Sequence, residues 1–438
     1  MSLSDILILS RRDLLRTALM AALVAAACLW VSFLFLDPIP PRKIVLASGP
    51  EFGLYHQLAL RYKEALAREG VTVEERITEG AGENLRLLLD RKSGVDIAFL
   101  QGGLARPPET DPLVMVASLF YEPLWIFVRR GEAIDALAAL AGKRIATGLP
   151  GSGTHVLALP LLAASGVTAA NSTLLPIPGN RAANALKSRE IDAALLVGGI
   201  GQSAIRDALA DPVLELASLA QADAYPRRFP FLTKRTLPAG AINFVPLTPP
   251  REVALISTVA MLASRDDLHP AITNLLLEII RDEHDDQGVF EAAAEFPNVE
   301  PVDLRVSPDA ISHKRFGPNI LYRHLPFWVA AFVERFVIIV VPLLVVLLPM
   351  LNYLPQFLRW RVRSHIFRWY GELTLLENDV HSREGELPIK RWLADLDRIQ
   401  REAERVSTPE SFAAEVYTLR EHIDLVRRAV LAKAAASG

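Results

Sequence analysis

The sequence predicts an α/β architecture in two lobes, flanked by two membrane-spanning helices and followed by an α-helical hairpin. Three observations carry this reading. Strand-like and helix-like segments alternate between residues 43 and 199, the pattern of a parallel sheet with helices on its faces. A unit in which a helix ends, an Asp enters an apolar strand and the strand closes on a Gly pair occurs twice, at 93–103 and 189–199. Two apolar stretches, 18–36 and 336–354, contain no charged residue.

The first lobe opens with a strand over 43–48. Gly49 and Gly53 bracket a turn, and 54–69 then shows apolar residues at helical spacing. A second strand covers 71–73. A short helix over 83–93 closes on Gly94, and 95–100 forms a buried strand ending in Gln101-Gly102-Gly103. The second lobe has a strand over 143–147, the turn Gly151-Ser152-Gly153-Thr154 and a helix reaching residue 164. A strand over 173–177, a helix over 180–189 and a strand over 191–197 follow. Residues 115–128 cross from lobe to lobe, and a return crossing is expected near 214–245. Helices around 253–263 and 272–283 then rejoin the first lobe.

The apolar stretches set the topology. Span 18–36 follows Arg11, Arg12 and Arg16, so its N-terminus stays in the cytoplasm. It exceeds the ~7–15 apolar residues of a cleaved signal and ends in aromatics, which favours a retained anchor. The second span, within 329–355, is followed by Arg359, Arg361, Arg363 and Arg368 with Trp360 and Trp369 among them, the flank of a cytoplasmic exit. The expected organisation is a cytoplasmic N-terminus (1–17), a span (18–36), an extracytoplasmic two-lobed domain (37–328), a second span (329–355) and a cytoplasmic helical domain (356–438). One cysteine, Cys28, allows no internal disulfide, and this two-pass geometry fits a bacterial inner membrane with lipid around both spans. With 47 Lys and Arg against 50 Asp and Glu, the chain has no overall basic footprint for nucleic acid.

In an open α/β sheet, ligands collect at the carboxyl ends of the strands, where the Gly-rich turns lie. Helix N-termini direct backbone N–H groups and partial positive charge there, which suits a carboxylate or another small anion. The turn at 151–154 lacks the lysine of a phosphate loop, so nucleotide hydrolysis is not supported. The alternative is that each turn is a plain tight connection.

Six segments taken in order resemble the TAXI type of substrate-binding protein of TRAP transporters. They are Ser48-Gly49-Pro50-Glu51-Phe52-Gly53-Leu54-Tyr55, Gly80-Ala81-Gly82-Glu83-Asn84-Leu85, Asp96-Ile97-Ala98-Phe99-Leu100-Gln101, Gly151-Ser152-Gly153-Thr154, Asp192-Ala193-Ala194-Leu195 and Leu237-Pro238-Ala239-Gly240. The resemblance implies a periplasmic-binding-protein-like clamshell that captures a small organic acid or amino acid without catalysis, for delivery to TRAP permease subunits. It places the ligand-binding residues at Glu51, Gly53, Tyr55, Asn84, Gln101, Ser152, Gly153 and Thr154. Each has a structural alternative: Tyr55 as core, Asn84 as a helix cap, Gln101 as a strand end. Arg181, at the start of a helix, reads as solvated. The sequence departs from the family where Glu51 puts a carboxylate into the ligand turn, which would oppose a dicarboxylate and favour a zwitterion or neutral solute. Leu54 and Ala81 remove two family hydroxyls.

No catalytic constellation, metal site or cofactor is expected. The nine histidines are scattered, and Ser152 sits in Gly-Ser-Gly rather than a nucleophile elbow. His284 lies in the acidic run 282–286, which reads as a solvated helix end or a weak cation site. The tail predicts helices over 387–406 and 412–432, joined through Thr408-Pro409-Glu410. Phe412, Val416, Leu419, Ile423, Val426 and Val430 form a heptad seam that either closes the hairpin or serves self-association. Three functions fit: a tethered solute-binding subunit, a transmembrane sensor, and a structural protein with a degenerate pocket.

Overall fold

The computed structural model describes residues 39–132, 134–284, 287–317, 320–382, 388–405 and 413–436, with isolated positions between 19 and 30. Two units result, Ile39–Phe332 and Val333–Gly438, the latter grouped with the N-terminal segment.

In the first unit β1 (Lys43–Ala47), α1 (Leu54–Arg68), β2 (Thr72–Arg76), α2 (Ala81–Leu89) and β3 (Ile97–Gln101) follow the expected alternation. Next comes β4 (Leu113–Arg129), a single strand buried on both faces almost throughout, as its largely apolar sequence allows; Ser118 and Glu122 are buried with it. The second lobe holds β5 (Arg144–Ala146), α3 (Gly153–Ala164), β6 (Thr173–Leu175), α4 (Gly179–Lys187), β7 (Ala193–Val197), α5 (Ser203–Ala210) and β8 (Leu214–Leu216). The short α6 (Tyr225–Arg228), β9 (Thr233–Leu237) and the hairpin β10 (Asn243–Phe244) and β11 (Leu247–Thr248) precede β12 (Val253–Arg265). The unit closes with α7 (Pro270–His284), β13 (Arg305–Val306), α8 (Pro308–Phe316) and α9 (Ile320–His324).

The main sheet runs β2-β1-β3-β12-β4-β7-β5-β6. Its two ends are parallel, and the centre is antiparallel where β12 lies between β3 and β4 and β4 meets β7. Only β4 and β12 serve both lobes. The first half of β4 pairs β12 and its last residues pair β7 and β8. The first half of β12 pairs β9 and its second half pairs β3. The crossing expected at 115–128 is therefore β4. The return crossing is β12, not 214–245, and 253–263 is a strand rather than a helix. That run is apolar but for Ser257 and Thr258, so its periodicity does not separate helix from strand; the slot between β3 and β4 decides.

The duplicated unit has one structural job in both lobes. Asp96, just before β3, accepts a hydrogen bond from the Val45 N–H at 2.8 Å, and Asp192, just before β7, accepts one from the Arg144 N–H at 3.0 Å. Each also pairs with an arginine at the end of an inter-lobe strand, Arg265 of β12 for Asp96 and Arg129 of β4 for Asp192, both at 3.1 Å. The two carboxylates thus tie each lobe's parallel strands to the connecting pair.

Among the described residues one helix, α10 (Phe327–Ser382), is long and apolar enough to cross a membrane, over Phe327–Val345 with mean hydropathy 2.2. At 1.5 Å per residue its 56 residues extend roughly 84 Å. The expected first span, 18–36, lies mostly outside the described residues, so two spans are not supported here. The first turn of α10 is fastened to the first lobe: Trp328 Nε1 donates to the Glu69 carbonyl at 3.0 Å, and Phe327 is buried in that lobe's core.

The C-terminal unit differs from a two-helix hairpin. α11 (Ile389–Arg405) and α12 (Ala413–Ala436) close a core with the end of α10, built from Trp369, Leu373, Trp392, Leu396, Leu419, Ile423 and Val426. Trp392, 1% exposed, donates to Asp379 at 2.8 Å. The predicted linker Thr408-Pro409-Glu410 and seam residue Phe412 lie outside the described residues. The remaining seam residues face this core, where the end of α10 supplies a third helix.

Candidate functional site

A cleft open to solvent lies between the two lobes. Four helix N-termini reach it. Gly53, Leu54 and Tyr55 start α1, Gly80 and Ala81 start α2, Ser152, Gly153 and Thr154 start α3, and Pro178 and Gly179 start α4. Three of these helices carry no acid in the first turn, so no carboxylate of their own offsets their positive dipole ends. Only α2 has one, Glu83, whose carboxylate accepts from the Glu79 N–H at 2.9 Å.

The lobes touch across this cleft. The Glu83 N–H of α2 donates to the Gly151 carbonyl at 3.0 Å, and Gln101 Nε2, at the end of β3, donates to the Gly153 carbonyl at 2.9 Å. The approach is tight: a Cβ on Gly82 would lie 2.8 Å from the Gly151 oxygen and 2.8 Å from Val156 Cγ2. Gly151 itself has φ +91, a conformation that favours glycine.

Six of the residues expected from the sequence line the cleft: Gly53, Tyr55, Gln101, Ser152, Gly153 and Thr154. Their hydroxyls and amides are already engaged. Ser152 caps α3, accepting from the His155 N–H at 3.2 Å. Thr154 Oγ1 accepts from the Val197 N–H at 2.9 Å and fixes the start of α3 to the end of β7. Tyr55, 8% exposed, stacks on Phe99 and donates to Glu122 at 2.8 Å, with the Leu100 carbonyl at 3.2 Å.

The other two, Glu51 and Asn84, do not reach the cleft. Glu51 is exposed, because the turn closed by the Gly53 N–H on the Pro50 carbonyl at 2.6 Å turns Pro50, Phe52 and Gly53 to the cleft and leaves Glu51 outside. Asn84 is fully buried beneath the strand ends. Its amide donates to the Ser48 and Phe99 carbonyls at 2.5 and 2.8 Å, and its oxygen accepts from Thr78 at 2.6 Å. It holds β1, β3 and α2 in place. Arg181 is exposed and also lies off the cleft. His284 is half-buried rather than solvated: it meets Tyr62 OH at 2.8 Å and stacks on Phe120, and desolvation lowers its pKa to about 4. Asp285 and Asp286, the rest of that acidic run, lie outside the described residues.

Sequence reading missed Glu122. It lies on β4, lines the cleft, and is 5% exposed. Burial pushes its pKa up to about 7, against a smaller lowering by the Tyr55 hydroxyl. The same burial, with Glu122 beside it, raises the Tyr55 phenol well above its ordinary value. The sequence carried one signal: Glu122 is the only acidic or basic residue from Leu113 to Val128 in β4. Among the described residues no cluster of three His, Cys, Asp or Glu side chains is placed to hold a metal.

The family model that matches is described as the NMT1-like family and covers residues 47–304. Similar solved structures include the alkanesulfonate-binding protein SsuA from Xanthomonas axonopodis pv. citri bound to MOPS, 16% identical over 56% of this chain and 73% of that one, with TM-score 0.36. The periplasmic aliphatic sulphonate binding protein SsuA from Escherichia coli is 14% identical over 55% and 72%, with TM-score 0.35. An ancestral arginine-binding protein bound to arginine is 13% identical over 56% and 94%, with TM-score 0.37. The family match runs from the end of β1 to the residue before β13, which is more than half of the chain and takes in the whole cleft, and this protein belongs to the NMT1-like family.

Proposed function

We propose that this protein is a membrane-anchored solute-binding protein that takes a small organic acid or amino acid between its two lobes. The carrying observation is the convergence of four helix N-termini on one inter-lobe cleft. Backbone N–H groups there match a carboxylate, and cross-lobe hydrogen bonds from Glu83 and Gln101 give the lobes a closed state around it. No reaction is assigned. The Ser152 hydroxyl serves as a helix cap, and the cleft wall holds no histidine, cysteine or lysine to act with it.

In this reading the solute goes to a TRAP-type permease, as the six TAXI-like segments suggest. The apolar stretch Phe327–Val345 supports a membrane anchor. With residues 18–36 as the other span, as the sequence suggests, the two-lobed unit lies outside the cytoplasm of a bacterial cell and both termini lie inside. Reporter fusions at residues 150 and 438 test the topology; activity on the outer side at 438 would overturn it. Thermal-shift titration of the full chain in lipid nanodiscs tests capture. A solute at 100 times its Kd should stabilise the protein by about 2.7 kcal/mol. No stabilisation by any organic acid or amino acid at millimolar concentration would overturn solute capture.

A second reading, a transmembrane sensor, is favoured by the Trp328–Glu69 bond. Because α10 begins on the first lobe, lobe movement has a direct route into that helix.

A further inference from the structure

The side chains on the cleft wall are unbalanced in charge. Among the residues that line it there is no Lys, Arg or His, and the two ionisable acids are Glu79, exposed at the mouth, and Glu122, buried on the floor. The positive character of the site therefore comes from helix N-termini, which act at the ends of α1, α2, α3 and α4. The negative character is localised on Glu122. Its hydrogen-bond partner is a neutral phenol, Tyr55, and among the described residues no cation lies within ion-pair distance of it.

A buried carboxylate without a cationic partner is costly to keep charged. A solute that brings its own cation to that carboxylate removes the cost, whereas a second carboxylate on the solute would add to it. Tyr55 also sets the spacing. It is the second residue of α1, so the helix N-terminus and Glu122 lie within the reach of one tyrosine side chain. Groups for a carboxylate and for a protonated nitrogen are thus close neighbours.

We infer that Glu122 recognises a protonated nitrogen of the solute, and that the captured solute is a zwitterion of the amino-acid type rather than a dicarboxylate or a simple organic acid. This rests on the solute-capture reading and narrows it. The assignment moves the role that the sequence suggested for Glu51, in the turn after β1, to a residue on β4.

The test is calorimetry on the full chain in nanodiscs at pH 8. The proteinogenic amino acids and glycine betaine are titrated, each against the carboxylate of the same skeleton without the nitrogen. The inference expects at least a tenfold preference for the nitrogen-bearing member of the pair that binds. Glu122→Gln should reduce that preference to less than threefold, and Glu122→Asp, which keeps the charge, should retain it. Equal binding within pairs, or a preference unchanged in Glu122→Gln, would overturn the inference and leave solute capture standing. Absence of binding by every compound would overturn both. If Glu122→Gln does not fold, the wild-type pairs decide alone.

Discussion

The Tyr55 hydroxyl lies 2.8 Å from the Glu122 carboxylate and joins the first turn of α1 to the strand that serves both lobes. The pair is separated by 67 positions in the chain and is buried at the floor of the cleft.

This burial sets a pH dependence. Glu122 has a folded pKa of about 7, above its ordinary 4.5. The native state therefore holds this proton more tightly than the unfolded chain. The associated stability is present below pH 4.5, declines between 4.5 and 7, and is lost above 7. The interval corresponds to roughly 3 kcal/mol. The groups facing Glu122 are Tyr55 from α1 and, by strand register, Thr258 from β12, and neither titrates in this window. Glu122→Gln should raise Tm at pH 8 by several degrees more than at pH 5. The same Tm difference at both pH values would exclude a buried titrating carboxyl.

Asn84→Ala should lower stability by about 2–4 kcal/mol, since it leaves the Ser48 and Phe99 carbonyls and the Thr78 hydroxyl without their partner. Chemical denaturation of the variant measures this; an unchanged midpoint would show that these groups find other partners.

Gly82→Ala tests lobe closure. Its Cβ would meet the Gly151 backbone oxygen and Val156 across the cleft. Solute affinity should fall about tenfold or more, roughly 1.4 kcal/mol, with little change in apo Tm. Unaltered affinity would mean that the bound state does not use this contact.

Glu51→Gln should leave solute affinity within twofold for zwitterions and dicarboxylates alike, because Glu51 is exposed and lies off the cleft. A selective change in either class, read by titration, would return Glu51 to the site.

Much of the architecture was legible because it is written in local signals. Asp96 and Asp192 stood at equivalent places in a repeated unit, and each ties a parallel strand to an inter-lobe arginine. The Gly-rich turns at 53 and 151–154 marked the helix N-termini that line the cleft, and Ser152 was readable as a cap. In other places a side chain's role depended on partners far along the chain. Asn84 stood at a helix start, where a cap or a ligand contact was the natural reading; only the folded strand ends showed its amide turned inward.

By itself, then, the sequence determined the strand–helix alternation, the crossing by β4, the apolar span in α10 and the position of the Gly-rich turns that line the cleft. These depend on hydrophobic period, glycine conformation and charge-free length, which are properties of neighbouring residues. Only the tertiary structure decided that residues 253–263 form a strand, because a mostly apolar run takes its conformation from the gap it fills between β3 and β4. It also decided that the charged residue of the cleft floor is Glu122 rather than Glu51. Burial and cleft geometry are set by which strands meet, and a single carboxylate in an apolar strand does not reveal what it will face.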